Sequence, residues 1–543
     1  RGADTQGLAP GTGGAPNTDG DVATGVVRVQ VIDDIPTISS NAAAANALTV
    51  DDSNLGADAT ADFGFGQPGS LFNVAFNADG PAAANAIVYA LGVKSAGAVS
   101  GIIDTATGQT VLLTNEAGVI VGRTSGSDET VFTLSVDANG TVTLDQQRAV
   151  SHTPDTGSDQ ATGLSAADLI TLTATITDSD GDPASATAHI GGALTFKDDG
   201  VSIDLTVVKE ADVVLTTQDG DTTLAATDTD VSTANFSGVF VAANANYGAD
   251  GAGSVSWDYA LSLYGADGMD STLDSDGASI FLYNIGGVIT GSTAANAGAV
   301  DLANTIFTLG VNAATGAVTL SQLAEIDHAG PGDSSNFDAQ LATLADGLVK
   351  LTGTVTIVDK DGDSDSDSQS IDLGGNISFA DDGPSVTAAA AGGALVLNDE
   401  SATDSMVPAI DTGAIVKGED PNVGGVGTIS VATSGTAVVT ATPVYGADGA
   451  AASNSLTYAL TVINGASELT VTDGSAINLV LVGNVIVGQV SGGAFDGQAA
   501  FAIAIDPATG VVTVEQYLSL DHPDTANPDH MVQLLGNTLG GVV

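Results

Sequence analysis

Asp178-Ser-Asp-Gly-Asp182, followed by Phe196-Lys-Asp-Asp-Gly200, decides the reading of this chain, because the pair recurs. The first element returns as Asn17-Thr-Asp-Gly-Asp21 and Asp359-Lys-Asp-Gly-Asp363. The second returns as Ile32-Asp-Asp-Ile-Pro36 and Phe379-Ala-Asp-Asp-Gly-Pro384. Asp33 and Asp198 stand 165 positions apart, and Asp198 and Asp381 stand 183 apart. Short-unit solenoids repeat at about 20–50 residues, so an interval of this size marks an array of whole domains.

Other landmarks keep the same order in each copy. An Ala-Asp-Gly turn recurs at Asp79, Asp250 and Asp448, and a Tyr-Ala-Leu strand opens at Tyr89, Tyr259 and Tyr458. The tyrosines read as core. A Gly-Val-Ile-like strand follows at 118–122, 287–291 and 484–488, then a hairpin at 136–142, 311–318 and 505–512. Each hairpin carries a Gly where a tight turn demands positive φ. Stretches such as Thr141-Val-Thr-Leu144 and Leu172-Thr-Ala-Thr-Ile-Thr177 alternate with period two, the mark of half-buried antiparallel strands. Helical periodicity is nearly absent. The expected fold is all-β: tandem antiparallel β-sandwich, Ig-like domains in an elongated array. The expected boundaries are 1–37 for the end of a preceding repeat, then repeats at 38–200, 201–383 and 384–543, the last without its final strands.

Composition narrows the partners. The 543 residues carry 66 acidic and 10 basic side chains, a formal charge of −56, and no Lys or Arg follows Lys417. Such a polyanion repels nucleic acid and anionic membrane surfaces, so neither is an expected partner; cations are. With 43% apolar residues spread along the chain, the composition is not that of a disordered acidic tail. Cysteine is absent, which removes disulfides and thiolate metal sites. No run reads as a membrane-spanning helix: the uncharged, apolar stretch 476–495 is broken by Gly and Asn and reads as two strands.

The acidic turns are the candidate sites. Asp-x-Asp-Gly-Asp places three carboxylates within five residues, and Ca²⁺ seeks six to eight hard oxygens at about 2.3–2.6 Å. Unpaired carboxylates so close repel one another without a cation; the competing reading is a solvated hairpin turn. The expected ligands are Asp178, Asp180 and Asp182, with Asp359, Asp361, Asp363, Asp19 and Asp21 as equivalents. The junction pairs Asp33/Asp34, Asp198/Asp199 and Asp381/Asp382 form a second set. Sixteen residues separate Asp182 from Asp198, so two separate sites per repeat are expected. A further acidic position at Asp52, Glu210 and Glu400 is either a ligand or an exposed strand end, and the second reading is favoured. His152, His328 and His522 recur in register near Asp155, Asp327, Asp333, Asp521 and Asp524. Without a nucleophile motif or HExxH, they read as loop histidines bonded to a neighbouring carboxylate rather than as catalytic or Zn²⁺-binding groups.

The Thr-Val-Thr-x-x-Asp-x-Asp-Gly-Asp strand-turn, the Phe-x-Asp-Asp-Gly-Pro junction and the Gln-to-His segments at 322–328 and 516–522 resemble the large repeats of type I-secreted RTX adhesins, giant bacterial surface and biofilm proteins. That resemblance implies export in the unfolded state, folding outside the cell on meeting calcium, and a role as an extender or adhesive rod at the bacterial surface. The glycine-rich nonapeptide calcium repeats of that family are absent, as is a recognisable ligand-binding module. The expectation is a non-enzymatic, Ca²⁺-stabilised extracellular segment. Its partners would be neighbouring repeats and an unknown surface ligand. In the alternative, it is a filament or sheath subunit joined head-to-tail through strand donation by residues 1–37.

Overall fold

The structure, a computed structural model, describes residues 28–152, 159–208, 213–222, 229–330, 336–392, 396–401, 410–423, 427–534 and 539–543. The chain divides into two compact units. One comprises Arg1–Ile203, Asn244–Val255 and Ile357–Asp365; the other comprises Asp204–Ala243, Ser256–Thr356 and Ser366–Val543. The first unit thus holds the first sequence copy and two short stretches that sequence places in the second copy.

Within the first unit, strand Ile170–Thr177 shows how the pattern works. Ile170, Leu172, Ala174 and Ile176 are fully buried, each at 0% exposure, and the alternate threonines point away. On that other face Thr173 bonds the Thr187 hydroxyl at 2.9 Å and Thr175 bonds Ser185 at 2.9 Å, the cross-strand pairing expected of a half-buried sheet. This strand lies between Pro183–His189 and Ile87–Val93, antiparallel to both. A six-stranded antiparallel sheet runs in the order Ala59–Asp62, Thr141–Gln146, Thr130–Val136, Val119–Thr124, Thr110–Glu116, Ala98–Ile103. A small third sheet joins Ala161–Thr162, Leu194–Lys197 and Leu48–Asp51; its last pair is parallel.

One hydrophobic core draws on all three sheets, which makes the copy a β-sandwich: Leu113, Leu134 and Leu144 meet Leu48, Leu91 and Leu172. Phe132 of the large sheet packs on Phe196 of the small one, ring centroids 5.2 Å apart. Gly122 makes room for that ring, since a Cβ there would stand 2.5 Å from Phe132 Cε1.

The second unit repeats the plan. Leu215–Gln218, Ile377–Ala380 and Leu341–Thr343 form the small sheet, again with one parallel pair. The large sheet is Asp230–Asn235, Ala317–Gln322, Thr305–Val311, Val288–Ser292, Ala278–Ile285, Met269–Ser275. Phe307 meets Phe379 at 5.1 Å, and Gly291 lies under Phe307. The third copy has the six-stranded sheet from Ser430–Ala437 to Ala466–Thr470 and pairs Ala459–Val462 with Leu539–Val542. Residues 476–495 carry the two expected strands, Ala476–Val482 and Val485–Ser491. The hairpin glycines Gly140, Gly316 and Gly510 have φ of 80°, 69° and 69°, as the turns require. Tyr259 is buried, whereas Tyr89 is half-buried and its Oη accepts the Phe65 N–H at 2.7 Å.

Candidate metal centres

The acidic turn is built by its own first residue. In 178–182 the Asp178 N–H donates to the Asp182 carbonyl at 3.2 Å, and Asp178 Oδ1 accepts from the N–H groups of Gly181 (3.1 Å) and Asp182 (2.7 Å). Asp359 does the same: its N–H reaches the Asp363 carbonyl at 3.0 Å, and Oδ1 accepts from Gly362 at 3.0 Å and Asp363 at 2.9 Å. One oxygen thereby shapes the turn. The other, Oδ2, is buried in both residues and receives no hydrogen bond. Asp178 is 0% and Asp359 4% exposed, so each turn buries its first carboxylate, while Ser179, Asp180 and Gly181 stay exposed.

Each turn gathers carboxylates from elsewhere. Asp33 lies with Asp180 and Asp182, and Asp79 lies with Asp178 and Asp180; Asp33, Asp34 and Asp79 form a further group. In every group the candidate ligand atoms are within 4.8 Å of one another. The next cluster, also inside the first unit, joins Asp198 and Asp199 to Asp250 and to Asp359, Asp361 and Asp363. In the second unit Asp381 and Asp382 lie near Asp448, raising its pKa by like-charge repulsion after burial itself. The second Asp of each junction pair docks the same backbone group. Asp34 accepts the Ala78 N–H at 2.9 Å, Asp199 that of Ala249 at 2.8 Å, and Asp382 that of Ala447 at 3.0 Å. Asp182 and Asp198 thus lie in different clusters, and each cluster draws in a turn from outside its own sequence copy. Asp198 does not join its own upstream turn; it joins the turn that sequence places in the following copy. Asp19 and Asp21 lie outside the described residues.

Burial without donors dominates the electrostatics. Asp198 is 3% exposed and neither oxygen receives a hydrogen bond. Burial first, then the charges of Asp361, Asp363 and Asp250, push it up to about 8. Burial likewise lifts Asp359 to about 7 and Asp250 to about 6, and raises Asp199 and Asp381. A hydrogen-bonded Asp34 carboxyl raises Asp79 to about 6. Buried anions that lack both donors and cations are costly, and a bound dication inverts that cost.

At Asp52 the less favoured of the two readings fits the burial, and its counterpart Asp219 was not legible in the sequence. Asp52 is no exposed strand end: it is 2% exposed, its Oδ1 accepts from Gln146 Nε2, its Oδ2 accepts from the Val150 N–H at 3.0 Å, and burial lifts it to about 8. Its counterpart in the second copy is Asp219, held by Gln322 Nε2 and the Ile326 N–H, and lifted by burial to about 7. Glu210, the residue expected there, lies outside the described residues. The available signal was the glutamine: Gln146, Gln322 and Gln516 recur, and Gln516 Nε2 donates to Glu400.

The histidines face remote carboxylates rather than sequence neighbours. His152 is 1% exposed; its Nε2 bonds the Phe196 carbonyl at 3.2 Å, while Nδ1 stands 3.4 Å from Asp198 Oδ1 and 3.8 Å from Asp361 Oδ2. Burial lowers its pKa. His328 repeats this with Phe379 at 3.0 Å, Asp219 at 3.4 Å and Asp381 at 3.8 Å. Asp327, next in sequence, instead accepts the Gly277 N–H.

Comparison with known proteins follows the repeat. The chain belongs to the family described as Domain of unknown function (DUF5801), which it matches three times, over residues 47–191, 198–374 and 396–543. Among curated proteins nothing matches. Solved structures similar to parts of it include the protocadherin gammaB4 extracellular domain, at 14% identity and a TM-score of 0.19 over 80% of this chain; the match spans about half, 49%, of the protocadherin. A Ca²⁺-stabilised adhesin that helps an Antarctic bacterium bind ice matches at 12% identity and a TM-score of 0.13, over 79% of this chain and 90% of that one. A tetra-tandem repeat from the extending region of a large adhesion protein matches at 14% and 0.12, over 79% and 98%. Scores this low establish no shared fold. Among the described residues no helix is long and apolar enough to cross a membrane.

Proposed function

We propose that this chain is a non-enzymatic, calcium-stabilised repeat segment of a secreted bacterial surface adhesin of the RTX type, serving as an extender or adhesive rod. Its ligands would be Asp33, Asp34, Asp178, Asp180 and Asp182 in one cluster, and Asp198, Asp199, Asp359, Asp361 and Asp363 in the next. Asp381 and Asp382 would serve the third, with Asp79, Asp250 and Asp448 added to the respective clusters. The observation that carries the reading is Asp198: a buried carboxylate with no donor on either oxygen, surrounded by further carboxylates. All-oxygen clusters of high negative charge suit Ca²⁺, whose coordination is large and flexible. Each cluster unites segments far apart in sequence, so a bound ion would cross-link a junction and stiffen it.

Thermal unfolding in EGTA, millimolar Ca²⁺, Mg²⁺ and high NaCl tests this. A rise in melting temperature specific to Ca²⁺ supports it; equal response to NaCl points instead to simple screening of a charge of −56. Head-to-tail joining through residues 1–37 rests on a segment of which only 28–37 are described. Its test is light scattering during folding, with and without that segment.

A further inference from the structure

The histidine pockets have a chemistry that all-oxygen calcium sites do not. A carbonyl oxygen only accepts, so the 3.2 Å contact to the Phe196 carbonyl places the proton of His152 on Nε2. In the neutral ring, Nδ1 is then a bare lone pair. It is buried, receives no hydrogen bond, and points at the carboxylates of Asp198 and Asp361, with Asp52 completing the group. A lone pair facing anions is repulsive unless something positive lies between them. The second copy builds the same arrangement independently: His328 Nε2 holds the Phe379 carbonyl, and Nδ1, also without a hydrogen bond, faces Asp219 and Asp381.

We infer that His152 with Asp52 and Asp198, and His328 with Asp219 and Asp381, form two buried sites for a divalent transition-metal ion of the Zn²⁺ class. Imidazole suits such ions, whereas Ca²⁺ prefers oxygen alone. A tetrahedral ion bonded at about 2.0–2.2 Å keeps its ligands ~3.3–3.6 Å apart. One carboxylate in each pocket, Asp198 or Asp219, stands 3.4 Å from the imidazole nitrogen and falls within that range, while Asp381 at 3.8 Å would move in by a few tenths of an ångström. The outer groups fit as well. A metal-bound histidine characteristically donates its other N–H to a backbone carbonyl or carboxylate, as both rings do here. Gln146 with the Val150 N–H, and Gln322 with the Ile326 N–H, orient the Asp52 and Asp219 carboxylates. Asp198 has two oxygens without donors, so it can serve this ion and a calcium ion together. The inference does not depend on calcium being bound. In the third copy His522 turns the other way: Nδ1 bonds the His530 carbonyl at 2.6 Å, and Nε2 is 3.7 Å from Glu400. It serves as the internal comparison.

The test is Zn²⁺ titration of the full chain, by calorimetry and by NMR of the imidazole nitrogens, once in saturating Ca²⁺ and once without it. His152 and His328 Nδ1 signals should shift at stoichiometric Zn²⁺. His152→Gln and His328→Gln should each remove one equivalent of bound Zn²⁺, and the double variant two; His189→Gln, at a site without such a pocket, should remove none. Unchanged stoichiometry in the double variant overturns the inference. So do Nδ1 signals in the unmodified chain that respond to pH but not to Zn²⁺, the signature of a protonated imidazole between carboxylates; this readout stands even where a variant fails to fold. Loss of Ca²⁺-dependent melting with Zn²⁺ uptake intact would count against the calcium reading alone.

Discussion

Replacing Asp361 by Asn should have opposite consequences with and without calcium. Asp361 lies at the centre of the second cluster: Oδ2 accepts the His152 N–H at 3.1 Å, and its charge is the largest single-charge contribution to the raised pKa of Asp198. Asn keeps an acceptor for that N–H and removes only the charge. Lifting Asp198 from 3.8 to about 8 corresponds to roughly 6 kcal/mol against its ionised form, at about 1.4 kcal/mol per pH unit. Burial contributes the largest part, which leaves on the order of 1–2 kcal/mol to Asp361. In EGTA at pH 8.5, D361N should therefore stabilise the first unit and raise its calorimetric transition by roughly 2–8 °C, at about 2–4 °C per kcal/mol for a unit of this size. In millimolar Ca²⁺ the variant lacks a ligand. A tenfold weaker site forfeits about 1.4 kcal/mol of binding linkage, so the advantage should vanish or reverse. The same shift in both buffers, or a lower melting temperature in EGTA, would refute the account of this cluster as a repulsive site awaiting a cation.

Three further outcomes follow from the geometry. The buried carboxyls Asp52, Asp198, Asp219 and Asp359, lifted to about 7–8, bind protons more tightly folded than unfolded. Their contribution to stability in EGTA is full below about pH 4 and is lost progressively as pH rises to 7–8; a melting temperature that is flat or climbs from pH 5 to 8 contradicts this. Asp178→Ala should cost about 1–3 kcal/mol in denaturant unfolding with or without Ca²⁺, because two turn N–H groups lose their acceptor, whereas Asp178→Asn should weaken only the Ca²⁺-dependent part. Gly291→Ala should cost about 1–3 kcal/mol, since the new Cβ would lie 2.3 Å from Phe307 Cε1; Gly310→Ala, with open space around it, is the near-neutral control in the same urea titration.

By itself the sequence determined the β architecture, the register of the copies and the two acidic motifs. These are local properties: Ile170–Thr177 alternates because a strand's side chains alternate, and Asp-Gly dictates a turn whatever surrounds it. The carboxylate at Asp178 could be read as a candidate ligand from its neighbours alone. Its partners could not. Asp198 meets Asp361 across 163 positions, and Asp52 meets His152 across 100, because the sheet order brings chain segments together that no periodicity links. Burial was equally hidden. Asp52 follows an alternating Leu-Thr-Val-Asp stretch as an exposed strand end would, so nothing in its immediate neighbours marked it as buried against Gln146. Which nitrogen of His152 is left bare was settled only by where the Phe196 carbonyl came to rest. Turns and strands follow from short-range sterics, while a binding site is the coincidence in space of groups that only the folded chain brings together.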